Sequence, residues 1–277
     1  MKKILILGSS GQIGSELSKY LKIKKYDVYE FDIVEDTLED LRIHKNEILE
    51  KYIRDCDFVF FLAFDVGGAR YLKKYQQTFQ FLHNNILLMS NTFELLKKYS
   101  TPFIFSSSQM SNMSHSPYGV SKAVGENYTK CLNGLTVKFW NVYGEENDLE
   151  KSHVITDFIN KAKTKGLIKM LSDGTESRQF LHAQDCCECL LVLSEKFHSL
   201  DKEREYHITS FSWNTIMEIA QEISSNFQNC DIEKTKTKDT IQKDKKNEPD
   251  PYILNFWKPK LSIRDGIKDI IKKMEEK

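Results

Sequence analysis

A glycine-rich turn close to the N-terminus restricts the fold more than any other segment. The apolar run at residues 3–7 leads into this turn, and residues 15–22, which have helical spacing, follow it. The turn contains Gly8, Gly11 and Gly14. A tight strand-to-helix turn needs residues without a Cβ where the backbone approaches a ligand, and the helix N-terminus then offers N–H groups to an anion. The pattern therefore predicts a buried parallel strand, a tight turn and a helix that together hold a phosphate group.

The first half of the chain alternates such apolar runs with helical periodicity. Further strands are predicted at residues 27–31, 58–63, 103–105 and 136–140. Helices are predicted at residues 78–99 and 118–132, and in the first of these apolar residues recur every three or four positions. Strands that alternate with helices through short turns indicate a parallel sheet that is covered on both faces. We therefore expect an α/β fold with a doubly wound parallel sheet.

The second half is less regular. Its helical candidates are residues 155–165, 185–193, 215–225 and 263–274. Residues 229–250 are polar and rich in lysine, with acidic residues interspersed, so we predict a loop or a solvated edge there rather than a binding patch. We expect this half to form a smaller α/β region beside the sheet.

The charge balance and the apolar runs exclude several classes of protein. In a chain of 277 residues, 40 Lys and Arg balance 40 Asp and Glu, which argues against a nucleic-acid partner because such binders need a basic excess. No run approaches the roughly 20 apolar residues of a membrane span. The apolar run after Lys2 and Lys3 is also too short for a signal peptide. We expect a cytoplasmic protein without a membrane partner.

The six cysteines are interpreted as reduced thiols, since no export signal is found. Three of them, Cys186, Cys187 and Cys189, lie close together on a predicted helix. On a helix they cannot all converge on one ion, and no second Cys/His pair has zinc spacing. We predict core thiols and no metal site.

Asp32 stands where a dinucleotide-binding turn needs its acidic partner. It ends the second predicted strand, 18 residues beyond Gly14. A carboxylate at this place accepts hydrogen bonds from the adenosine ribose hydroxyls and repels a 2′-phosphate. The spacing therefore predicts NAD rather than NADP, although a solvent-facing strand end is the simpler alternative for Asp32.

Tyr118 and Lys122 lie four residues apart, and so on one face of the predicted helix. A phenol with a pKa of about 10 is a poor base at neutral pH. A neighbouring ammonium and a positive nicotinamide ring would stabilise the phenolate and lower that pKa. The spacing alone is common in surface pairs. Here the serine run 106–108 precedes it, at the carboxyl edge of the sheet where ligands bind.

Taken together, the motifs resemble the extended short-chain dehydrogenase/reductases, in particular the NAD-dependent sugar-nucleotide epimerases and dehydratases with a Rossmann fold. The resemblance covers nearly the whole chain. It rests on Gly8, Gly11 and Gly14, Leu62-Ala63, Asn85, the serine run, Tyr118 and Lys122, Asn141-Val142-Tyr143-Gly144 and residues 173–180.

The resemblance implies a role for each matched residue. For NAD binding it implies Gly8, Gly11, Gln12, Ile13, Gly14, Asp32, Leu62, Ala63, Tyr118 and Lys122. Ser108 and Tyr118 would bind the reacting sugar hydroxyl, with Tyr118 as proton acceptor, while Lys122 would hold the nicotinamide ribose. The substrate-binding set would be Gly67, Gly68, Ser108, Asn141 and Arg178, where Arg178 grips the diphosphate. Ser107 is the alternative hydroxyl, and an ordinary exposed arginine is the alternative for Arg178.

The resemblance also implies how the chain is organised. Residues 1–141 plus about 183–212 would form the NAD-binding domain, and residues 142–182 plus 213–277 the nucleotide-sugar region. The helices at 78–99 and 118–132 resemble the pair through which the family dimerises as a four-helix bundle. We therefore expect a homodimer.

Departures from the family pattern narrow the reaction. Gln109 and Met110 follow Ser108, where dehydratases commonly carry an Asp-Glu pair and 3,5-epimerases carry a cysteine. Oxidation or reduction at the sugar 4-hydroxyl remains. The connection between Ser108 and Tyr118 has only nine residues, which suggests a more open pocket. His153 lies near the expected sugar site.

We therefore expect NAD-dependent oxidation of a nucleotide sugar at carbon 4, in the biosynthesis of surface polysaccharides. The glycine pair Gly67-Gly68 favours a GDP-linked hexose or heptose of manno configuration. A 4-epimerase with tightly bound NAD is the close alternative. A non-catalytic dinucleotide sensor is the alternative from a different class.

Overall fold

The computed structural model describes residues 2–146, 148–239 and 247–276. Its strands, in chain order, are β1 (Lys3–Leu7), β2 (Asp27–Phe31), β3 (Phe58–Phe61), β4 (Phe103–Ser108), β5 (Leu135–Phe139), β6 (Asn141–Tyr143), β7 (Leu167–Lys169), β8 (Ser177–His182), β9 (Glu205–Ile208), β10 (Trp213–Thr215) and β11 (Asp231–Glu233). Its α-helices are α1 (Gln12–Ile23), α2 (Glu47–Asp55), α3 (Ala69–Tyr75), α4 (Phe79–Tyr99), α5 (Pro117–Cys131), α6 (Val154–Lys165), α7 (Ala183–Glu195), α8 (Ile216–Ser224) and α9 (Ile263–Glu275).

A six-stranded sheet forms the centre of the described chain, in the order β2-β1-β3-β4-β5-β9, and all its neighbours pair in parallel. The chain winds outward in both directions from β1 and β3. In such sheets the carboxyl ends of the strands at the switch point form a ligand-binding crevice. The edge strand β9 was not predicted as a strand, because its sequence Glu-Tyr-His-Ile lacks a continuous apolar run.

Alternate residues of β1 enter two separate cores, one on each face of the sheet. Ile4 and Ile6 pack into a cluster that includes residues of α1 and α7. Leu5 and Leu7 pack into a second cluster with residues of α2 and α4. This division follows from the period of two along a strand. The predicted doubly wound α/β fold is therefore confirmed.

Side-chain caps fix where several predicted helices begin. The hydroxyl of Thr78 accepts a hydrogen bond from Phe81 N at 3.2 Å at the start of α4, and that of Ser116 accepts from Gly119 N at 3.1 Å at the start of α5. Such caps satisfy N–H groups that the first turn leaves free. The short helices α2 and α3 were not predicted, although Asn46 caps α2 in the same way.

The second half contains more strand than predicted. β6, β8 and β10 form a three-stranded sheet, while β7 and β11 pair in parallel. A third apolar cluster joins α6, α8 and α9. The predicted loop 229–250 is therefore corrected in part, since it contributes β11, and its residues 240–246 lie outside the described residues. The proposed division into two domains stays a prediction.

The three neighbouring cysteines, Cys186, Cys187 and Cys189, are buried in the cluster beside α1, which confirms that they are core thiols. All six cysteines are free, and burial raises the pKa of these three. Over residues 2–146, 148–239 and 247–276, no group of His, Cys, Asp or Glu is arranged to hold a metal ion. Within the same residues, no helix is both long enough and apolar enough to cross a membrane.

Candidate active site

The glycine turn is packed too tightly for side chains at two of its positions. Gly8 has φ +86°, and a Cβ there would lie 2.7 Å from the backbone of Ala63. A Cβ on Gly14 would lie 2.0 Å from the carbonyl oxygen of Gly8. The turn, with Gly11 and Gln12 at the start of α1, therefore lies directly against the end of β3. The structure brings the predicted Leu62-Ala63 segment to this turn, where Leu62 N donates to Leu7 O at 3.0 Å.

Asp32 lies at the same edge. Its Oδ2 accepts a hydrogen bond from Ser10 N in the glycine turn at 2.9 Å, and its Oδ1 accepts from Val34 N at 3.0 Å. Glu35 accepts from the Ser10 hydroxyl at 2.9 Å, so two carboxylates stand beside the turn. Asp32 is thus positioned by the turn itself. Its predicted contact with the ribose stays a prediction.

The serine run is part of a strand, since β4 continues to Ser108 instead of ending at residue 105. The Ser108 hydroxyl accepts from Met110 N at 3.2 Å, and its interaction with the Tyr118 phenol lowers the pKa of that phenol. Ser107 instead donates its hydroxyl proton to Glu126. Successive side chains of a strand point to opposite faces, which separates the two hydroxyls. The geometry favours Ser108 over Ser107 as the partner of Tyr118.

Lys122 is buried at this site, 3% exposed, and its Nζ donates to the Ser106 carbonyl oxygen at 2.6 Å. Nζ also lies 3.7 Å from the centre of the Phe64 ring and 6.0 Å from that of Tyr118. Burial lowers the pKa of Lys122 to about 7, against the opposing charge of Glu126. Its amine is therefore poised to gain or lose a proton near neutral pH.

The expected lowering of the Tyr118 pKa is not found in the protein on its own. Burial raises the pKa of Tyr118 to about 12, while the effect of Ser108 acts in the other direction. Tyr118 packs beside Met110 and Met113, and it meets Phe64 edge to face at 5.7 Å. These apolar neighbours disfavour the phenolate.

The glycine pair has a packing role that the sequence did not reveal. A Cβ on Gly67 would lie 2.8 Å from the Tyr71 side chain, and one on Gly68 would lie 2.4 Å from the Ser152 carbonyl oxygen. Gly68 N also donates to Lys151 O at 2.8 Å. Both glycines are thus needed for close contact with the segment at 151–153. Their proposed contact with a substrate stays a prediction.

Asn141 and Arg178 lie on neighbouring strands of the three-stranded sheet. Asn141, at the start of β6, has a buried Oδ1 with no hydrogen-bond partner among the described residues. Arg178, on β8, is not an exposed arginine, because its side chain is 14% exposed and its guanidinium pairs with Asp239. The structure therefore places Arg178 in an ion pair.

Asn247 lies across the short connection between Ser108 and Tyr118. Its Nδ2 donates to Gln109 O at 2.6 Å and to Gln109 Oε1 at 2.8 Å, and its Oδ1 accepts from Asn112 at 2.9 Å. A segment distant in sequence thus contacts the short connection that suggested a more open pocket. Nothing in the local pattern around Asn247 indicated this contact.

The sequence did not predict two further polar groups, one around Asp65 and one formed by His153 and Glu146. Asp65, just after β3, accepts from Tyr71 Oη at 2.5 Å and from Asn84 at 3.1 Å, while its N–H donates to Asn85 at 2.8 Å. His153 Nδ1 lies 2.6 Å from Glu146 Oε1. Burial acts to lower the pKa of His153, but Glu146 outweighs it and raises that pKa.

The sequence profile of the NAD dependent epimerase/dehydratase family matches residues 4–209, which include the glycine turn, Asp32, Tyr118 and Lys122. The chain belongs to this family. The resemblance predicted from its motifs is therefore confirmed, and so is NAD as the cofactor of the family.

Two relatives of this epimerase/dehydratase match along nearly their whole length. A putative UDP-glucose 4-epimerase of Methanocaldococcus jannaschii is 26% identical, over 98% of this chain and 98% of that protein. A GDP-L-fucose synthase of Sinorhizobium fredii is 23% identical, over 96% and 93%. The structure of a GDP-6-OMe-4-keto-L-xylo-heptose reductase from C. jejuni superposes with a TM-score of 0.84 at 17% identity, over 99% and 98%.

The residues of the glycine turn fit the NAD of an epimerase/dehydratase. The buried Ser9 Oγ and Gln12 Nε2 have no hydrogen-bond partner among the described residues, and both lie at the turn. The N-terminus of α1 adds backbone N–H groups, beside Ile13, that no side chain caps. Buried polar groups without partners are costly unless a ligand satisfies them. Gly8, Gly11 and Gly14 would hold the pyrophosphate, and Asp32 the adenosine ribose.

Proposed function

We propose that the chain oxidises the 4-hydroxyl of a nucleotide sugar, with Ser108, Tyr118 and Lys122 as the residues at the reacting centre. The observation that carries the proposal is the interaction of Ser108 with the Tyr118 phenol beside the buried amine of Lys122. All three lie at the carboxyl edge of β4 or on the helix next to it. This edge adjoins the glycine turn through the Leu62–Phe64 segment.

Each residue has a separate task in this reaction. Ser108 donates to or accepts from the sugar hydroxyl and orients it toward Tyr118. Tyr118 takes the hydroxyl proton as the carbon–hydrogen bond at carbon 4 breaks. Lys122 holds the nicotinamide ribose and, as an ammonium, favours the phenolate of Tyr118. NAD supplies the hydride acceptor when it is bound.

The residues after Ser108 support chemistry at carbon 4 over dehydration or 3,5-epimerisation. Gln109 and Met110 occupy the positions where those reactions place an acid or base, and both side chains are buried, 7% and 3% exposed. Asn247 also engages the amide oxygen of Gln109. Neither an amide nor a thioether can act as a general acid or base at neutral pH. Dehydration and 3,5-epimerisation thus lack an acid or base at these two positions.

The 4-keto sugar has two possible fates. Its release is net dehydrogenation, the reaction expected from the sequence. Return of the hydride to the opposite face is 4-epimerisation, and the full-length match to a putative UDP-glucose 4-epimerase supports it as the second candidate. Gly67 and Gly68 no longer support a preference for GDP, because their packing against residues 151–153 explains why glycine stands at both positions. A GDP-linked relative still favours it.

The test is an assay of GDP-, UDP- and dTDP-hexoses with the purified protein and with a Tyr118→Phe control. Net dehydrogenation gives NADH at 340 nm in proportion to the 4-keto product, whereas 4-epimerisation converts one sugar into its epimer without NADH accumulation. Proton NMR of the sugar distinguishes the two products. Bound NAD without turnover of any nucleotide sugar would favour the non-catalytic sensor and refute the proposal.

We also propose a homodimer through α4 and α5. Large apolar residues remain exposed at helical spacing on both helices. These are Phe79, Leu82 and Ile86 on α4, and Val120, Val124 and Tyr128 on α5. Such a contiguous apolar face is costly in water and is typical of an interface. Light scattering at micromolar concentration should give a dimer, and Val124→Asp should give a monomer. A monomeric unaltered protein would contradict the assignment.

A cytoplasmic location and a role in surface-polysaccharide synthesis stay predictions.

A further inference from the structure

A second layer of charged residues lies behind the proposed reacting centre. Glu126, one helical turn beyond Lys122 on α5, accepts a hydrogen bond from the Ser107 hydroxyl. The Nζ of Lys138, on β5, lies 3.5 Å from Glu126 Oε1 and 2.7 Å from Glu205 Oε2 on β9. The Glu126 and Lys138 side chains are 17% and 10% exposed. These charges alternate in sign from the helix to the edge of the sheet.

Residues four apart on a helix lie on one face, so Glu126 stands beside Lys122. Lys122 faces Tyr118 on its own helix and the Ser106 carbonyl on β4. Apolar rings, those of Phe64 and Phe105, form its other surroundings. In such surroundings a carboxylate several ångströms away acts strongly, because little water screens it.

We propose that Glu126 is a positioning residue that favours the ammonium form of Lys122, so that Lys122 can donate to the nicotinamide ribose and act on Tyr118. The proposal rests on the function assigned above to Lys122. Ser107 holds the Glu126 carboxylate in place, and Lys138 moderates its effect because it shares the same carboxylate. Glu205, with His207 at 4.0 Å, in turn offsets the charge of Lys138.

Two opposing effects set the protonation of Lys122. Burial lowers the pKa of its amine to about 7, and the charge of Glu126 works against that fall. A nearby opposite charge shifts a pKa by about 1–3 units. Because Lys138 also pairs with the Glu126 carboxylate, we expect the shift in the Lys122 pKa to lie at the lower end of that range. Without Glu126, Lys122 would be mostly neutral at pH 7.

The decisive experiment follows the titration of Lys122 itself in the NAD-loaded protein, by NMR of ¹³Cε-labelled lysine from pH 5.5 to pH 9. The Lys122 signal is the one that disappears in Lys122→Met. In Glu126→Gln, which keeps the shape and can still bind Ser107, we expect its midpoint to fall by about one pH unit. Glu126→Asp, which keeps the charge, should restore most of that shift.

Two control variants separate charge from structure. Ser107→Ala removes the hydrogen bond but leaves the carboxylate, so the midpoint should change much less than in Glu126→Gln. Lys138→Met removes the competing cation, so the midpoint should rise. The downward shift expected in Glu126→Gln is the result that loosened packing around Lys122 would not produce, because contact with water raises the midpoint of a buried lysine. An unchanged midpoint in Glu126→Gln would overturn the proposal.

The NAD dissociation constant, measured by calorimetry over the same pH range, tests the function on which the proposal rests. Affinity should fall as Lys122 loses its proton, and this fall should start at lower pH in Glu126→Gln. Lys122→Met should bind weakly and without this pH dependence. If Lys122→Met binds NAD as the unaltered protein does, the assignment of Lys122 to the ribose is wrong. The NMR midpoint still decides whether Glu126 controls the charge of Lys122.

Discussion

The polar groups around Tyr118 and those around Arg178 are held in different ways. Lys122 is buried against two aromatic rings and a backbone carbonyl, and burial moves its pKa far from the ordinary value for lysine. Arg178 is also mostly buried, but its charge is neutralised by Asp239. A buried ionisable group without an opposite charge beside it tends to become neutral, whereas a buried group in an ion pair stays charged. The first region is therefore suited to proton transfer, and the second to the exchange of one anion for another.

The largest effect is expected from Tyr118→Phe. The ring and its packing against Met110, Met113 and Phe64 remain, but the group that accepts the proton is lost. Turnover should fall by about 100- to 10,000-fold, the usual contribution of a positioned general base. Single-turnover formation of NADH checks this, with titrations of NAD and nucleotide sugar as controls that should change little. Near-normal hydride transfer would mean that the phenol is only part of the wall.

Lys122→Met tests whether burial of the amine sets its protonation. The folded-state pKa of Lys122, about 7, lies below its ordinary value of 10.5. The unfolded chain therefore binds more protons between these two pH values, and the stability of the unaltered protein should rise with pH in that window. Relative to Lys122→Met, its melting temperature without NAD should rise by about 5 °C between pH 7 and pH 9. A constant difference between the two proteins would refute the buried titration.

Arg178→Ala should weaken binding of the nucleotide sugar by about 10- to 100-fold, since hydrogen bonds to charged groups contribute about 1.5–3 kcal/mol. Binding of NAD should be unchanged, because Arg178 lies on β8 and not at the glycine turn. Calorimetry with each ligand measures both quantities. Equal losses for both ligands would indicate a general structural defect instead.

Asp239→Asn should have the smallest effect, and in the opposite direction. In the structure, Asp239 pairs with the guanidinium of Arg178, which we expect to bind the substrate diphosphate. Removal of its charge, with the shape retained, should tighten nucleotide-sugar binding by about two- to fivefold, the scale of a partly exposed ion pair. Weaker binding in this variant would show that Asp239 supports the arginine more than it competes for it.

Much of the chemistry could be predicted from short-range patterns. Gly8, Gly14 and Asp32 were found from spacing because a tight strand-to-helix turn tolerates few sequences. Tyr118 and Lys122 were found because four residues bring two side chains to one face of a helix. The same spacing would have pointed to Glu126, four residues further on, but its partners Ser107 and Lys138 lie on other elements.

Other residues were beyond local patterns. Asp239 and Asn247 belong to a polar stretch with no apolar period, so nothing in it indicated contacts with Arg178 and Gln109. The glycine pair, Gly67 and Gly68, was read as a substrate contact. Its close approach to residues 151–153 becomes visible only when two distant segments are packed together.

The sequence by itself determined the α/β alternation, the glycine turn and the placement of Tyr118 and Lys122 on one face of a helix, because each depends on residues within a few positions of one another. Tertiary structure decided which serine meets Tyr118, how far burial moves the protonation of Lys122, and that Arg178 is paired. Those properties depend on desolvation and on charges brought together from separate strands and helices. Electrostatic energy varies with distance and burial, and neither quantity is encoded by local spacing.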